Sequence, residues 1–264
     1  MKKRKLFRSE GSQTFLWALS AYAIFLIVWQ LAVTFTDLRL TFSTPAEVIV
    51  RFVRSFYVPI GKQVLPVHVL ISFSRVMVGY LVGSVIGVLL GLIMGYSKVG
   101  KAIINPIFEL FRPIPTIAWI PLAIMWFGVG ELPKYFITFM STFFTVTINT
   151  YAGTRSVDPV LLGAAKMLGA NKRQMFLKVI FPSCVPHIFA GLQVSLSTSW
   201  MSVMAAEMVS SVAGVGWVII MGQYNADTTQ ILVGMFAIGI TGLLLSTLME
   251  FVERRLCAWN IRGK

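Results

Sequence analysis

The chain has 264 residues, of which 56% are hydrophobic and only 12% are charged, and its mean hydropathy is +0.79. Soluble domains carry roughly 25% charged residues, so this composition excludes an ordinary soluble domain and indicates several membrane spans of about 20 residues each. The net charge of +13 does not indicate nucleic-acid binding, because the Lys and Arg residues lie between apolar runs. We predict an all-α polytopic protein that contacts membrane lipid and binds no nucleic acid.

The N-terminal segment joins a basic start, MKKRKLFR, to a long apolar run. That run has no small-residue cleavage pattern, which predicts an uncleaved first span rather than a signal peptide. Cys184 and Cys257 fall in segments predicted for the membrane and the cytoplasm, so no disulfide is predicted. Together with the distant His68 and His187 they make no zinc pattern, and we predict no metal site.

Seven stretches lack Asp, Glu, Lys and Arg for about 18 residues or more, the usual length of a span. They are residues 14–36, 76–97, 113–130, 135–154, 179–206, 208–226 and 228–249. The stretch 208–226 holds three glycines and several polar residues, which favours a broken or re-entrant piece sheltered by protein. Without it, six spans place both termini in the cytoplasm, and the cytoplasmic segments carry 16 of the 23 Lys and Arg residues.

This topology divides the chain into three regions. Residues 1–66 hold the N-terminal cytoplasmic segment, the first span and an external loop. Residues 67–250 form a transmembrane domain with a cytoplasmic segment at 156–182, and residues 251–264 form a basic cytoplasmic tail. Within the external loop, aromatic and Arg residues at 46–56 predict a short interfacial helix.

A glycine occurs at every fourth position of the second predicted span. The row consists of Gly79, Gly83, Gly87, Gly91 and Gly95. Because steps of four advance slowly around a helix, the row makes a bare groove that lets a neighbouring helix approach closely. We predict helix packing here, with a direct place in the translocation pathway as the alternative.

The segment from Gly95 to Lys101 has the spacing of a phosphate-binding loop, G-x-x-x-x-G-K. The next residue is Ala102, so the hydroxyl that binds Mg²⁺ is missing, and a membrane helix precedes the segment where a strand is needed. We therefore predict that this chain binds no nucleotide and no other cofactor. If ATP drives the protein, another subunit binds the ATP and its Mg²⁺.

The third predicted span is interrupted by prolines, each of which removes a backbone donor, so this helix must kink or start late. They are Pro106, Pro113, Pro115 and Pro121. Glu109 and Arg112 lie three residues apart and are expected to pair near the cytoplasmic edge. A structural ion pair is the simpler interpretation, with gating or subunit contact as the alternative.

The fifth predicted span contains small hydroxyl residues and one isolated acid. Its candidates for the translocation path or gate are Ser195, Ser199, Trp200, Met204 and Glu207. Hydroxyl residues are also common at contacts between membrane helices, so packing is the competing interpretation. An acid at membrane depth indicates a functional site, although Glu207 equally fits a helix end at the interface.

The segment 156–182 reads as two short helices in the cytoplasm. Asp158 and Pro159 are a helix cap and a first-turn proline, and Gly169 fits a helix terminus. Asn171 with Gln174 indicates a second capped helix, which Pro182 follows. The first helix carries an apolar stripe that nothing else in the sequence is expected to cover, so this face is expected to bind a partner. Its members are Leu161, Ala164, Ala165 and Leu168.

This segment resembles the signature of permeases from binding-protein-dependent ABC importers. The similarity rests on the spacing Gly163-Ala164-Ala165, Gly169 and then Val179-Ile180-Phe181-Pro182. Further similarity, in the segment 41–45, the glycine row, 112–121 and 206–208, points to the nitrate, sulfonate and taurine branch. The family's Glu, Ile and Leu are here Gly163, Val179 and Phe181, and the missing Glu puts in doubt any ionic contact made from that position.

The resemblance implies a type I importer fold in a bacterial inner membrane, with residues 156–182 docking on the ATPase. It implies a homodimer of this chain, two ATPase subunits and an extracytoplasmic binding protein, with no catalysis by the chain itself. The implied cargo is a small anion such as a sulfonate, taurine or nitrate, and a thiamine precursor is the alternative. A secondary transporter usually shows internal repeats and intramembrane charges for ion coupling, and here only Glu207 and Arg112 qualify as such charges. A membrane enzyme needs convergent acids, His or metal ligands near one membrane face, and the two His are too far apart to suggest one.

Overall fold

The computed structural model describes residues 3–36, 39 and 42–256, with side chains for 13–36, 39 and 42–255. The helices are α1 (Lys3–Phe35), α2 (Pro45–Arg54), α3 (Leu65–Tyr96), α4 (Lys98–Phe111), α5 (Ile120–Phe127), α6 (Leu132–Arg155), α7 (Pro159–Met167), α8 (Lys172–Met175), α9 (Phe181–Ser210), α10 (Val215–Tyr224) and α11 (Thr228–Leu256). A single antiparallel bridge is the only β-pairing in the described residues. The all-α prediction is confirmed, while Cys257 and the basic tail from residue 257 lie outside the described residues.

Four described helices are long and apolar enough to span a membrane, and a fifth span is formed if α4 and α5 count together. The four are Gln13–Phe35, Leu65–Tyr96, Lys172–Ser210 and Thr228–Arg255, and the bent pair is Lys98–Phe111 with Thr116–Phe127. Helix α6 has 24 residues, enough for about 36 Å, but it is more polar than these. Helix α10 has 10 residues and is too short to cross, so the stretch 208–226 contains a loop and a short helix.

The relative direction of the helices supports six crossings. Gly79 of α3 packs on Thr138 of α6, and further along, Gly91 packs on Thr150. The later residue of α3 contacts the later residue of α6, so α3 and α6 run in the same direction. The chain between them must return through the bundle, and α4 with α5 supplies this return. If α6 crosses as well, the predicted six spans are α1, α3, α4 with α5, α6, α9 and α11, and the count of six stays a prediction.

Helix α9 runs antiparallel to α6. Gly191 near the beginning of α9 meets Asn149 near the end of α6, whereas Ala206 near the end of α9 packs in one cluster with Ile137 near the beginning of α6. One end of the bundle therefore carries α7 and α8. The opposite end carries α2, α10 and the turn that begins α6.

The glycine row lies at the closest contact between α3 and α6. A β-carbon added at Gly79, Gly83 or Gly91 would lie 2.6 to 2.8 Å from the β-carbon of a Thr on α6. Real side chains do not approach so closely, so these positions have no room for any residue larger than glycine. Gly95 meets Thr154 in the same way, while Gly87 has slightly more space at 3.1 Å from Val146.

Two predicted helix boundaries are wrong for physical reasons. The second span was expected to begin after Arg75, but α3 starts at Leu65 and includes that residue, because partners neutralise its charge inside the fold. The helix after Asn171 was expected to stop before Pro182. Instead α8, a π-helical turn and α9 form one continuous helical segment. Pro182 directly follows the π-helical turn Phe176–Ile180, where the regular ladder of helix hydrogen bonds is already interrupted and a residue without an N–H is accommodated.

Candidate functional site

Helix α7 is fixed at both ends by hydrogen bonds that the sequence pattern anticipated. Asp158 Oδ1 accepts a hydrogen bond from Val160 N at 2.8 Å, and proline occupies the first helical position. At the other end Gly169 has φ +76°, and its N–H donates to Lys166 O at 3.0 Å. Ala170 N–H donates to the carbonyl oxygen of Ala165 at 3.0 Å, which completes a Schellman motif.

The reversal after Gly169 leads into a second capped helix. Asn171 Oδ1 accepts from Gln174 N at 2.8 Å, and Gln174 Oε1 accepts from Asn171 N at 3.0 Å. This reciprocal pair is a capping box, which satisfies two backbone donors that the helix leaves free. The segment from Lys172 to Ser210 is then helical for 39 residues, so α7 is joined directly to the element that reaches the far end of the bundle.

The outward face of α7 differs in part from the predicted stripe. Leu161 and Leu168 are 52% and 88% exposed, as is Met167 at 86%. Ala165 is half-buried and packs in part against the chain's own cluster around Met175, and its predicted orientation toward a partner stays a prediction. Ala164 and Gly163 are half-buried, and a β-carbon at Gly163 would meet nothing within 4 Å. The uncovered apolar surface, which we call the α7 face, consists of Val160, Leu161, Met167 and Leu168.

The five predicted pathway residues on α9 lie in helix contacts in this conformation. They are Ser195, Ser199, Trp200, Met204 and Glu207, and each is at most 5% exposed. The Ser199 hydroxyl lies 2.7 Å from that of Thr142, and Trp200 Nε1 donates to the carbonyl oxygen of Ile238 at 3.2 Å. None of them lines the polar cavity described below. Their place in a translocation pathway stays a prediction.

Glu207 is fully buried and fully hydrogen-bonded. One carboxylate oxygen accepts from Arg75 Nη1 at 2.7 Å, and the other accepts from Ser72 Oγ and from Gly216 N, both at 2.9 Å. The Arg75 side chain also donates to the backbone carbonyl of Ala213 at 2.6 Å. The acid therefore ties the last turn of α9 to α3 and to the beginning of α10, and its place near a helix end fits one of the two interpretations given for it.

Arg75 joins Glu207 to a second acid at the start of α6. Its Nε and Nη2 atoms donate to the two carboxylate oxygens of Glu131 at 2.6 and 2.7 Å, and Lys134 Nζ lies 3.0 Å from the same carboxylate. Hydrogen bonding to Arg75 lowers the pKa of Glu131 to about 2, so this carboxylate is ionised at neutral pH. We call these four residues the ion cluster; it balances two positive and two negative charges at the end of the bundle opposite α7. The sequence patterns did not single out Arg75, Glu131 or Lys134.

A polar cavity of about 390 Å³ lies at the break between α4 and α5. The break itself contributes Arg112 and Thr116, and the other polar lining residues are Ser141 and Thr145 of α6 and Thr198 and Ser202 of α9. Positions 141–148 are close to the middle of α6, so Arg112 lies about halfway along the bundle. Its predicted position near the cytoplasmic edge is therefore wrong, because α4 carries the chain halfway through the bundle before the 84° bend.

The predicted pair between Glu109 and Arg112 is present. Arg112 Nη1 lies 3.3 Å from both carboxylate oxygens of Glu109, and both side chains are nearly half exposed. The Gly95–Lys101 segment, by contrast, spans the end of α3 and the beginning of α4, with no preceding strand. Lys101 Nζ lies 5.6 Å from the centre of the Tyr151 ring, a cation–π contact.

Comparison with known proteins places this geometry in a family. Residues 83–258 match the family model described as binding-protein-dependent transport system inner membrane component. The chain is 34% identical to a putative ABC transporter permease of Methanocaldococcus jannaschii, over 92% of this chain and 91% of that protein. It is 30% identical to the taurine transport system permease protein TauC of Escherichia coli (92% and 89%). It is also 30% identical to the nitrate import permease protein NrtB of Synechocystis (88% and 86%).

A solved structure supports the fold independently. An amino acid ABC transporter superposes with a TM-score of 0.63 over 78% of this chain and 96% of that chain, at 18% identity. This likeness confirms the predicted type I importer architecture of the membrane domain. Taken with the family match and the relatives, it shows that the chain belongs to the inner-membrane permeases of binding-protein-dependent ABC importers.

Proposed function

We propose that this chain is the non-catalytic permease of an ATP-driven importer for a small oxyanion. Two copies would form the pathway, two ATPase subunits would bind ATP and Mg²⁺ on the cytoplasmic side, and an extracytoplasmic protein would deliver the cargo. Six crossings with both termini in the cytoplasm fit this arrangement, because α7 then lies on the same side as the ATPase.

The observation that carries the proposal is the α7 face. Met167 and Leu168 are 86% and 88% exposed at the C-terminal end of a helix that is capped at both ends, outside any predicted span. Such apolar side chains at one point of a polar surface indicate a protein contact. We expect the α7 face to bind in a cleft of an ATPase subunit.

The continuous segment from Lys172 to Ser210 suggests how the docking site acts on the pathway. A displacement of α7 is passed through the capping box to a 39-residue helical segment whose far end holds Glu207. Closure of the two ATPase subunits would thus shift one long element against α3 and α6. A two-state rearrangement of packed helices of this kind switches access from one side of a membrane to the other.

The cargo is inferred from the relatives. Their names specify taurine and nitrate, both of which carry an anionic oxygen-bearing group, and the similarity covers most of the chain. A thiamine precursor is the alternative cargo. Binding proteins set most of the specificity of such importers, so the cargo is the part of the proposal that transport experiments must decide.

The test of function is uptake into proteoliposomes that contain the permease, its ATPase and its binding protein. We expect ATP-dependent uptake of labelled taurine, an alkanesulfonate or nitrate, and no uptake without the binding protein. Uptake of a thiamine precursor instead would contradict the cargo and leave the importer in place. Uptake that depends on an ion gradient and not on ATP would contradict the importer itself.

Substitution of the α7 face tests the docking surface. Leu168→Asp is expected to place an unpaired charge in the contact, costing several kcal/mol and more than about a hundredfold in affinity for the ATPase. Co-purification of the ATPase with the tagged permease measures this. Leu168→Met keeps the apolar contact and should retain the ATPase. Ala165→Asp should instead destabilise the permease, because Ala165 is half-buried against the chain's own apolar cluster around Met175. Full ATPase recovery with Leu168→Asp would rule out this face.

A further inference from the structure

We propose that Arg112, with the hydroxyls of Thr116 and Thr198, forms a low-affinity subsite for the oxyanion halfway along the translocation pathway. The proposal rests on the proposed function, since the subsite serves an anion that crosses the membrane. It locates a binding step in the permease itself, apart from the recognition made by the binding protein.

The first argument is the placement of the charge. Arg112 is the one charged residue among the described residues that line the cavity, and its side chain is 45% exposed in the single chain. A half-exposed guanidinium at this depth cannot face hydrocarbon at low cost, so it must face water or another protein surface. The open cavity with its hydroxyl residues provides such a setting, and the proposal places this cavity on the translocation pathway.

The second argument is the set of hydroxyl groups around it. The Thr116 hydroxyl makes no hydrogen bond within the described part of the chain and is therefore available to donate. Thr198 Oγ1 donates to the carbonyl oxygen of Ser195 at 3.1 Å, a contact within its own helix that a rotation of the side chain can exchange for a ligand. Guanidinium and hydroxyl donors are the groups that bind sulfonate, sulfate and nitrate oxygens.

The third argument concerns strength. Glu109 lies 3.3 Å from Arg112, and it is not among the lining residues of the cavity. The pair keeps the guanidinium oriented and offsets part of its charge, so an anion would be held weakly. A site on a transport pathway must bind well enough to admit the solute and weakly enough to release it. A volume of about 390 Å³ accommodates a small solute.

The charge selectivity of the cavity can be measured without knowing the cargo. Thr145→Cys places a thiol on the cavity wall, and Cys257→Ser leaves the buried Cys184 as the other thiol in the chain. The purified complex is labelled with an anionic thiosulfonate reagent that itself carries a sulfonate, and with its cationic counterpart. We expect Arg112→Gln to lower the anionic-to-cationic rate ratio about tenfold, and Arg112→Lys to preserve most of it.

Glu109→Gln is the matched control because it breaks the same ion pair and leaves the guanidinium. We expect Glu109→Gln to keep or raise the ratio of anionic to cationic labelling rates. If Arg112 only supports the helix break through that pair, the two variants will change labelling equally, and the proposal is overturned. An unchanged ratio in Arg112→Gln overturns it as well.

Transport provides the second readout. In the reconstituted complex, Arg112→Gln is expected to reduce taurine or nitrate uptake about tenfold while ATP hydrolysis stimulated by the binding protein persists. Wild-type uptake of neither anion would contradict the proposed function, whereas normal uptake by Arg112→Gln would contradict the subsite alone. The labelling experiment separates these two outcomes, since it does not depend on transport.

Discussion

Arg75→Met is expected to destabilise the permease by about 3–5 kcal/mol, because it leaves a buried carboxylate without its counter-charge. Glu207 is 0% exposed and Arg75 is 3% exposed, so neither water nor lipid can replace the lost partner. The variant also removes the two donors that hold Glu131 at the start of α6. Unfolding of the purified protein in detergent, titrated with a denaturing detergent, measures the loss.

Two further variants separate the charge effect from ordinary surface electrostatics. Arg51 pairs with Asp227 at 3.5 Å, and their side chains are 40% and 33% exposed, so Arg51→Met should cost only about 0–1 kcal/mol. Glu207→Gln, added to Arg75→Met, removes the stranded charge and should recover part of the stability. If Arg75→Met costs no more than Arg51→Met, the ion cluster does not stabilise the bundle.

The pairing of charges in the ion cluster could not be predicted from the sequence. Arg75 directly precedes the uncharged stretch 76–97, which predicts a span edge there, although α3 continues through it. The sequence does contain one indication of this pair. Arg75 and Glu207 have opposite charges and each lies beside a long apolar run, and a buried charge is stable only when an opposite charge is buried with it. Which acid pairs with which base depends on the contact between α3 and the last turn of α9, across 132 positions of sequence, and no local pattern encodes it.

Local chemistry was predicted well where short-range rules determine it. Asp158, Gly169 and Asn171 set caps through their own backbone neighbours, and the structure shows these caps. The orientation of α7 was predicted less well, because the repeat of apolar residues does not tell which side the rest of the chain covers. The chain itself covers part of Ala165, while Met167, outside the predicted stripe, is exposed.

The polar cavity was missed for a related reason. Sequence reasoning chose Ser195 and Ser199 on α9, whereas Thr198 and Ser202 of the same span line the cavity. All four hydroxyls lie on one span, and only the neighbouring helices decide which of them are covered. The prolines did predict a break in the third span, and the break places Arg112 at mid-depth.

Gly91→Ala is expected to destabilise the helix bundle by about 1–3 kcal/mol, and Gly91→Leu by more, through overpacking. A β-carbon there would lie 2.6 Å from Thr150 Cβ and 2.7 Å from the carbonyl oxygen of Thr147, and a backbone atom cannot move aside without shifting α6. Because α3 and α6 pack against each other along this whole row of glycines, a shift of α6 would disturb the packing along the entire interface. The amount of assembled complex and its unfolding in detergent measure the effect.

The space around each glycine differs along the row, so the expected loss of stability differs from one position to the next. Gly87 has 3.1 Å to Val146, so Gly87→Ala should cost less than Gly91→Ala, and Thr150→Gly should partly rescue Gly91→Ala by removing the clashing side chain. Gly239 of α11 is the control, since a β-carbon there meets nothing within 4 Å and Gly239→Ala should be tolerated. Equal effects at Gly87, Gly91 and Gly239 would mean that helix propensity governs these positions. A graded loss that follows the distances, with rescue at Thr150, would show that close approach of α3 to α6 requires the glycines.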